Sequence, residues 1–213
     1  MVKKLVSVIV VNWNGKQHLE DCFSSLLKQD YPALEIIMVD NASNDGSVEF
    51  IKNKFPAVHL IQNKINIGFG PAVNKGMSIG KGEYFLFLNN DLTLGPSCIS
   101  ELAKLMEKPD VGGSIPKILF FDKRDTINSF GVDVNYVGIA CPRLIYEKDS
   151  GFLKEEEVPC GGIFMLHRNI LKKLRGFDES IFFYHEDHDL SWRIRLTGKR
   201  LIVNPKAVIY HKY

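Results

Sequence analysis

Short apolar runs alternate with helix-period segments along the first half of this chain, and this alternation constrains the fold more than any other feature. The runs Val6–Val11, Ile36–Val39 and Val58–Ile61 have the length and β-branched composition of buried strands. Between them, apolar residues recur every three or four positions, as on one face of a helix. The chain therefore begins as β-α-β-α-β, which predicts an α/β fold with a mainly parallel sheet flanked by helices.

Two apolar stripes at helical spacing are expected to pack in the core. They comprise Leu19, Cys22, Phe23, Leu26 and Leu27 in the first, and Ile99, Leu102, Ala103 and Met106 in the second. Beyond Gly112 the pattern loosens. Residues 129–146 are typical of irregular strands or a hairpin, and residues 149–157 of a polar, mobile loop. The length of 213 residues favours one compact domain over 1–213.

Composition and charge narrow the possible partners and the cellular location. The chain has 27 Lys and Arg against 25 Asp and Glu, a formal charge of +2 without a basic block, so we expect no nucleic-acid partner. The four cysteines are widely spaced and the N-terminus has no signal-peptide pattern, which favours reduced thiols in the cytoplasm. No apolar run approaches the ~20 residues of a membrane span. Any membrane association is therefore expected to be peripheral, at the inner face.

Polar residues close the first two predicted strands. Asn12-Trp13-Asn14 follows the first, and Asp40-Asn41-Ala42-Ser43 follows the second. In an open α/β sheet a carboxylate at this position can accept hydrogen bonds from a nucleotide's base or ribose. Alternatively, Asp40 and Ser43 could only form a turn and cap the helix that starts near Gly46. The residues by themselves leave both interpretations open.

The continuous apolar run Tyr84–Leu88 ends abruptly in Asn89-Asn90-Asp91. A buried strand that ends in a carboxylate places it at the ligand-binding edge of the sheet, where Asp91 could coordinate a hard cation such as Mg²⁺ or Mn²⁺. The simpler alternative is an Asx turn after a strand. The position after the most hydrophobic strand favours the metal.

The segment from Tyr184 to Leu190 concentrates ionisable side chains at the start of a predicted helix. Its three carboxylates could simply complement the helix dipole, at about 0.3–1 kcal/mol each. A zinc-protease interpretation fails because His185 and His188 are three residues apart, whereas that motif needs four. A carboxylate here could instead act as a general base toward an acceptor hydroxyl. His211, after a final apolar run, could be either a structural residue or a metal ligand.

In this order, the segments resemble the family two glycosyltransferases, the inverting enzymes of the GT-A fold, from Val6 to His211. The most specific matches are Val8–Gly15, Val39–Ser47 and Asn66–Gly76. Further matches in sequence order are Phe87–Asp91, Cys160–Phe164, Gly176–Glu179 and Glu186–Leu190. The resemblance implies a Rossmann-like, mainly parallel sheet with a smaller antiparallel part on the acceptor side. Asn89 stands where the first Asp of the family's D-x-D motif is often found, a form common in the rhamnosyltransferase-like branch.

The resemblance also implies functions for individual residues. The nucleotide-binding residues would be Asn12, Asn14, Asp40, Asn66, Asn74 and Asn90. Asp91 and His211 would hold Mn²⁺ or Mg²⁺, and Asp187 would be the catalytic base. Support for the site or the acceptor would come from Glu186, Asp189, Gly161 and Gly162.

From the resemblance we expect residues 1–111 to bind the nucleotide sugar and residues 112–213 to bind the acceptor and carry the base. The donor would be a UDP- or dTDP-sugar, and the acceptor a glycan or lipid-linked glycan of the cell envelope. A nicotinamide-dependent oxidoreductase is disfavoured because Gly68-Phe69-Gly70 follows the third strand and has Val73 where a glycine or alanine belongs. A glycosidase would need neither a nucleotide pocket nor a metal. A non-catalytic sugar-nucleotide or glycan-binding module of the same fold stays open as an alternative.

Overall fold

The computed structural model describes residues 3–212, which form a ten-stranded sheet, a two-stranded sheet and six helices. The strands are β1 Val6–Asn12, β2 Leu34–Asp40, β3 His59–Gln62, β4 Tyr84–Asn89, β5 Leu92–Leu94, β6 Val111–Phe120, β7 Ile127–Ser129, β8 Val132–Val134, β9 Ala140–Pro142, β10 Glu156–Glu157, β11 Met165–His167 and β12 Arg200–His211. The helices are α1 Lys16–Leu27, α2 Ser47–Lys54, α3 Phe69–Ile79, α4 Cys98–Leu105, α5 Arg168–Leu174 and α6 Glu186–Leu196.

The first half of the chain forms a parallel block in the order β3-β2-β1-β4. In its register Asn12 lies beside Asp40, and Val11 lies beside Asn89. The polar residues that end these strands therefore share one edge of the sheet. The predicted α/β fold with a mainly parallel, Rossmann-like sheet is confirmed in this block.

The second half extends the same sheet with mixed strand directions. β11 inserts antiparallel between β4 and β6, while β12 runs parallel to β6 and antiparallel to β5 and β10. β7 pairs with β6, and β8 and β9 form a separate antiparallel hairpin within the region predicted as irregular strands or a hairpin. The smaller antiparallel part is thus confirmed. The assignment of the halves 1–111 and 112–213 to nucleotide and acceptor stays a prediction.

Helices cover both faces of the sheet. Successive strand residues alternate between two buried clusters: Val8 and Val10 contribute to one, and Ile9 and Val11 to the other. α1, α2 and α4 add their buried side chains to the first cluster, and α3, α5 and α6 to the second. Strands covered on both faces are expected to be continuously apolar, as Tyr84–Leu88 is.

Three sequence expectations need correction. Leu27, placed in the core stripe, is 61% exposed, because the neighbouring Leu26 takes the inward direction in the last turn of α1 and Leu27 lies about 100° further round the helix. The irregular pattern expected beyond Gly112 is wrong for β6, a ten-residue strand that is buried along almost its whole length. The loop at 149–157 is anchored at its start, because Asp149 forms an ion pair with Lys117 of β6 in which both side chains are largely buried.

All four cysteines are unpaired thiols, with Cys141 exposed and the other three buried. No helix within residues 3–212 is both long enough and apolar enough to cross a membrane.

Candidate active site

Asn12, at the end of β1, is the centre of a hydrogen-bonded group at the carboxyl edge of the parallel block. Its amide nitrogen donates to Asp40 Oδ1 at 2.8 Å and to Ser43 Oγ at 3.0 Å, and its amide oxygen accepts from Asn90 Nδ2 at 2.6 Å. Asn12 and Asp40 are both almost fully buried. One side chain therefore connects the ends of β1, β2 and β4.

The turn after β2 is fixed by the same group. Ser43 N donates to Asp40 Oδ2 at 2.9 Å, and Ser43 Oγ also accepts from the backbone nitrogen of Asn14 at 2.9 Å. The Asn14 side chain accepts from Asn44 N, and Asn14 has a left-handed backbone with φ of 48°. The alternative in which Asp40 and Ser43 form a turn is confirmed for the turn. Its second part, that they cap the next helix, is wrong, because α2 is preceded by Gly46 and its first backbone nitrogen donates to Asp45.

Asp91 and His211 are adjacent although 120 residues separate them. β5 pairs antiparallel with β12 so that His211 lies opposite Leu92, and Lys212 N donates to the Asp91 backbone oxygen at 3.0 Å. The side chains then meet, with His211 Nε2 at 3.3 Å from Asp91 Oδ2. The predicted pair of ligands is therefore brought together by strand pairing at the sheet edge.

These two residues fit a divalent cation. Asp91 Oδ1 is buried and has no hydrogen-bond partner among residues 3–212. A buried carboxylate oxygen without a partner is costly unless something else binds it. One carboxylate and one imidazole suit Mn²⁺, and Mg²⁺ with additional oxygen ligands. Asp91 and His211 could thus hold such an ion together with oxygen atoms of a ligand.

The start of α6 presents the second group of ionisable side chains. The chain enters this helix through two left-handed residues, Tyr184 with φ of 62° and His185 with φ of 68°. Such residues cost of order 1–3 kcal/mol each and occur often at functional sites. Glu186 is buried, and its Oε2 has no partner among residues 3–212. Asp187 is partly buried and accepts from His188 N at 2.8 Å.

Burial raises the pKa of both Glu186 and Asp187. Removal from solvent raises the pKa of Asp187, against a smaller opposing effect of nearby His188. Burial also raises the pKa of Glu186, and the charge of Asp187 adds to that increase. A carboxylate with a raised pKa is a stronger base and is better matched to proton transfer near neutral pH.

Replacing Glu186 with glutamine is expected to stabilise the fold at neutral pH. Folding raises the pKa of Glu186. The contribution of Glu186 to the free energy of unfolding is therefore most favourable at a pH below its pKa in the unfolded chain, and it is lost as the pH rises through its pKa in the folded chain. Glu186→Gln removes that loss and should increase the free energy of unfolding at pH 8. Denaturant titrations at pH 8 and pH 4 measure it, and the gain should shrink at pH 4. Glu107→Gln, at an exposed carboxylate, is the control; an equal gain there would refute the explanation.

Two glycines precede β11, and one of them lies beside Asp187. A Cβ on Gly162 would be 3.5 Å from Asp187 Oδ2, so this glycine leaves the carboxylate accessible from that side. A Cβ on Gly161 would be only 2.6 Å from Ile115 Cδ1, so the backbone there packs directly on β6. Gly161 N also donates weakly to Ser191 Oγ of α6 at 3.5 Å. Support of the site by these glycines stays a prediction.

A family model describing glycosyl transferase family 2 matches residues 7–175, about four fifths of the chain. The chain belongs to this family. The match includes Asn12, Asp40, Asp91 and both glycines, whereas α6 and His211 lie beyond it.

Curated relatives of this family 2 chain include bacterial glycosyltransferases. The N-acetylglucosaminyl-diphospho-decaprenol L-rhamnosyltransferase of Mycobacterium tuberculosis is 25% identical over 98% of this chain and 76% of that protein. An uncharacterized glycosyltransferase of Haemophilus influenzae is 35% identical over 50% of this chain and 34% of that protein. The chain therefore spans about a third of the length of the Haemophilus protein and about three quarters of the length of the mycobacterial one.

Solved structures identify the fold as GT-A. The mannosyltransferase PcManGT of Pyrobaculum calidifontis, solved with GDP-Man and Mn²⁺, has a TM-score of 0.74 at 20% identity and covers 99% of this chain and 57% of that chain. GalNAc-T7, solved with UDP, GalNAc and Mn²⁺, has a TM-score of 0.82 at 20% identity and covers 99% of this chain and 43% of that chain.

The remaining predicted site residues of the family 2 chain have structural partners. Asn74 of α3 donates to Phe177 O and Glu179 Oε1 and accepts from Phe177 N, so it holds the 177–179 loop. Asn66 Oδ1 accepts from Gly68 N at 3.0 Å and shapes the turn before α3. These contacts do not involve a nucleotide, and nucleotide binding by Asn66 and Asn74 stays a prediction.

Asp189 forms an ion pair with Arg193 one helical turn later, through Arg193 Nε at 2.8 Å. Arg193 in turn donates to the backbone oxygens of Leu174 and Gly176. Through Arg193, Asp189 helps hold the connection between the end of α5 and the 177–179 loop, and its predicted support of the site stays a prediction. Arg193 was not among the predicted residues, although its spacing of four from Asp189 on a helix is a signal for this pair.

Proposed function

We propose that this chain transfers a sugar from a nucleoside diphosphate sugar to an acceptor hydroxyl, with inversion at the anomeric carbon. The observation that carries the proposal is the Asp91–His211 pair, with a buried and unpartnered carboxylate oxygen at the sheet edge organised by Asn12 and Asp40. In open α/β sheets this edge is where ligands bind.

Asp91 and His211 would hold Mn²⁺ or Mg²⁺, and the bound ion would neutralise negative charge on the leaving diphosphate, in place of a general acid. The protein's own contribution at this edge is preorganisation. Asn90 is fixed by its hydrogen bond to Asn12, so the backbone that carries Asp91 is held in place from the neighbouring strand. We assign Asn12, Asn14, Asp40 and Asn90 to shaping the nucleotide pocket.

Asp187 would accept the proton of the acceptor hydroxyl as that oxygen attacks the anomeric carbon and the bond to the diphosphate breaks. Its partial burial supports this function, because burial raises the pKa of Asp187 and increases its basicity. Gly162 leaves one side of the carboxylate open to an acceptor. Glu186 is buried, lies next to Asp187 in the sequence and would place a second carboxyl group beside it.

For the donor we propose a UDP- or dTDP-sugar. For the acceptor we propose a glycan or lipid-linked glycan of the cell envelope, reached at the inner face of the membrane. The name of the mycobacterial relative, an L-rhamnosyltransferase that acts on N-acetylglucosaminyl-diphospho-decaprenol, supports a deoxysugar donor and a lipid-diphosphate acceptor.

Calorimetric binding of UDP and dTDP, each with and without Mn²⁺, tests the proposal. We expect binding that Mn²⁺ strengthens and that Asp91→Ala weakens by about tenfold or more in the presence of the metal. Asp21→Ala is a matched control, since Asp21 is an exposed carboxylate that pairs with Lys212, the residue after His211. Absence of metal-dependent binding in the unaltered chain, or equal losses in both variants, would refute the proposed donor site.

A further inference from the structure

Three different metal-binding side chains converge at the start of α6, in a group that shares no residue with the Asp91–His211 pair. The Cys160 sulfur, a carboxylate oxygen of Asp187 and a ring nitrogen of His188 all lie within 4.8 Å of one another. Cys160 is fully buried, while Asp187 and His188 are partly exposed. They come from two separate segments, the loop before β11 and the first turn of α6.

The His188 ring is oriented by a second histidine. Its Nε2 is 3.8 Å from Asp187 Oδ1, and its Nδ1 is 3.0 Å from Nδ1 of His185. One ring nitrogen therefore faces the carboxylate while the other is held by a neighbour. Metal-binding histidines are usually fixed in this way, with the nitrogen that does not bind the metal in a hydrogen bond.

We propose that Cys160, Asp187 and His188 form a binding site for a borderline transition-metal ion of the Zn²⁺ type, with His185 orienting the His188 ring. Zn²⁺ binds Cys sulfur, His nitrogen and Asp or Glu oxygen in tetrahedral sites, and sites with three protein ligands keep the fourth position open for water or another ligand. Mn²⁺ and Mg²⁺ prefer oxygen, so the ions that suit Asp91 and His211 would not compete well for this site.

Coordination requires only small movements and one proton release. Zinc bonds of about 2.0–2.3 Å bring ligand atoms closer together than 4.8 Å, so the partly exposed side chains of Asp187 and His188 would move toward the Cys160 sulfur on binding. Burial raises the pKa of the Cys160 thiol to about 12, so the free thiol is protonated. Binding therefore replaces the thiol proton with a sulfur–metal bond, and the proton leaves to solvent.

The functional consequence rests on the proposed role of Asp187. An ion at this site would occupy the carboxylate that is to accept the acceptor's proton. It would therefore inhibit transfer without displacing the nucleotide, and the site would make the enzyme sensitive to free Zn²⁺ in the presence of its Mn²⁺ or Mg²⁺.

Co²⁺ substitution tests the site independently of any sugar transfer. Titrating the full chain with Co²⁺ should produce a thiolate-to-cobalt charge-transfer absorption that saturates at one ion per chain and that Zn²⁺ abolishes by competition. Cys160→Ser should remove the band, while Cys141→Ser, at an exposed thiol, should leave it unchanged. His185→Ala, which keeps all three ligands, should weaken Co²⁺ binding by about 10–100-fold.

The proposal is wrong if the unaltered chain shows no thiolate band, or if the band survives in Cys160→Ser. A transfer assay in Mn²⁺, with each variant compared with its own rate without Zn²⁺, tests the consequence. Zn²⁺ should inhibit the unaltered chain and Cys141→Ser, and should inhibit Cys160→Ser at least about tenfold less strongly. If Co²⁺ binds but Zn²⁺ does not inhibit transfer, the inhibitory role is wrong. If Co²⁺ binds to a chain that transfers no sugar, the metal site is supported and only the proposed transferase function fails.

Discussion

Asp187→Asn should lower the rate of sugar transfer by about 10²–10⁴-fold while leaving nucleotide binding nearly unchanged. Proton abstraction by a positioned side chain contributes a factor of this size, and asparagine cannot accept the proton. The substitution preserves the shape of the side chain, and its oxygen can still accept the hydrogen bond from His188 N. Steady-state rates together with calorimetric nucleotide binding separate the two effects, because a residue needed only in the transition state changes kcat rather than donor affinity.

The pH dependence provides a second readout for the same residue. Because Asp187 must be deprotonated to act and burial raises its pKa, the rate of the unaltered chain should fall on the acid side at a higher pH than an ordinary aspartate would give. Asp187→Asn should lose this acid limb from its residual activity. Asp110→Asn serves as the control, since Asp110 is an exposed carboxylate paired with Arg200. Unchanged turnover in Asp187→Asn would remove Asp187 from the role of base.

The strand-end residues were predictable because a polar side chain directly after a buried apolar run must lie at a sheet edge. That reasoning placed Asn12, Asp40 and Asp91 on one edge. The register of β1 with β2 confirms it for Asn12 and Asp40, and Asn90, the residue before Asp91, donates a hydrogen bond to Asn12 at the same edge. The contact of Asp91 with His211 was not predictable from periodicity. It depends on pairing of β5 with β12 across 120 residues, and only the family resemblance pointed to it.

β6 illustrates why the second half was harder to predict. Gly112, Gly113 and Pro116 are all unfavourable inside a strand by local preference. The reason for the glycines is tertiary, since a Cβ on Gly113 would lie 2.7 Å from side-chain atoms of Leu166 and Leu201 on neighbouring strands. Such close packing cannot be read from one segment of sequence.

The Cys160–His188 arrangement was missed for a similar reason. The two histidines at the start of α6, His185 and His188, do not match a zinc motif of fixed spacing along one helix. The third ligand atom comes from a loop 27 residues earlier, which the α6 sequence does not reveal. In the sequence Cys160 is only part of a family segment, and its proximity to Asp187 depends on tertiary packing between the loop before β11 and α6.

Asn12→Ala should destabilise the fold by about 3 kcal/mol, although Asn12 contributes no apolar packing of note. The substitution removes the donor to Asp40 Oδ1 and leaves this buried carboxylate with the backbone of Ser43 as its remaining partner. Loss of a hydrogen bond to a buried charge costs more than loss of a neutral one, because the charge keeps its desolvation penalty. Denaturant unfolding at pH 7 measures the effect.

A double-mutant cycle with Asp40→Asn isolates the charged contact from the other hydrogen bonds of Asn12. If the penalty arises from the uncompensated carboxylate, Asn12→Ala should cost at least about 1 kcal/mol less when Asp40 is already neutral. Additive costs would instead assign the loss to the contacts with Ser43 and Asn90. A large coupling would mean that the fold itself bears the cost of burying Asp40 at the sheet edge. The nucleotide would then meet a strand-end group whose hydrogen bonds are already in place, and the backbone that carries Asp91 would need little rearrangement on binding.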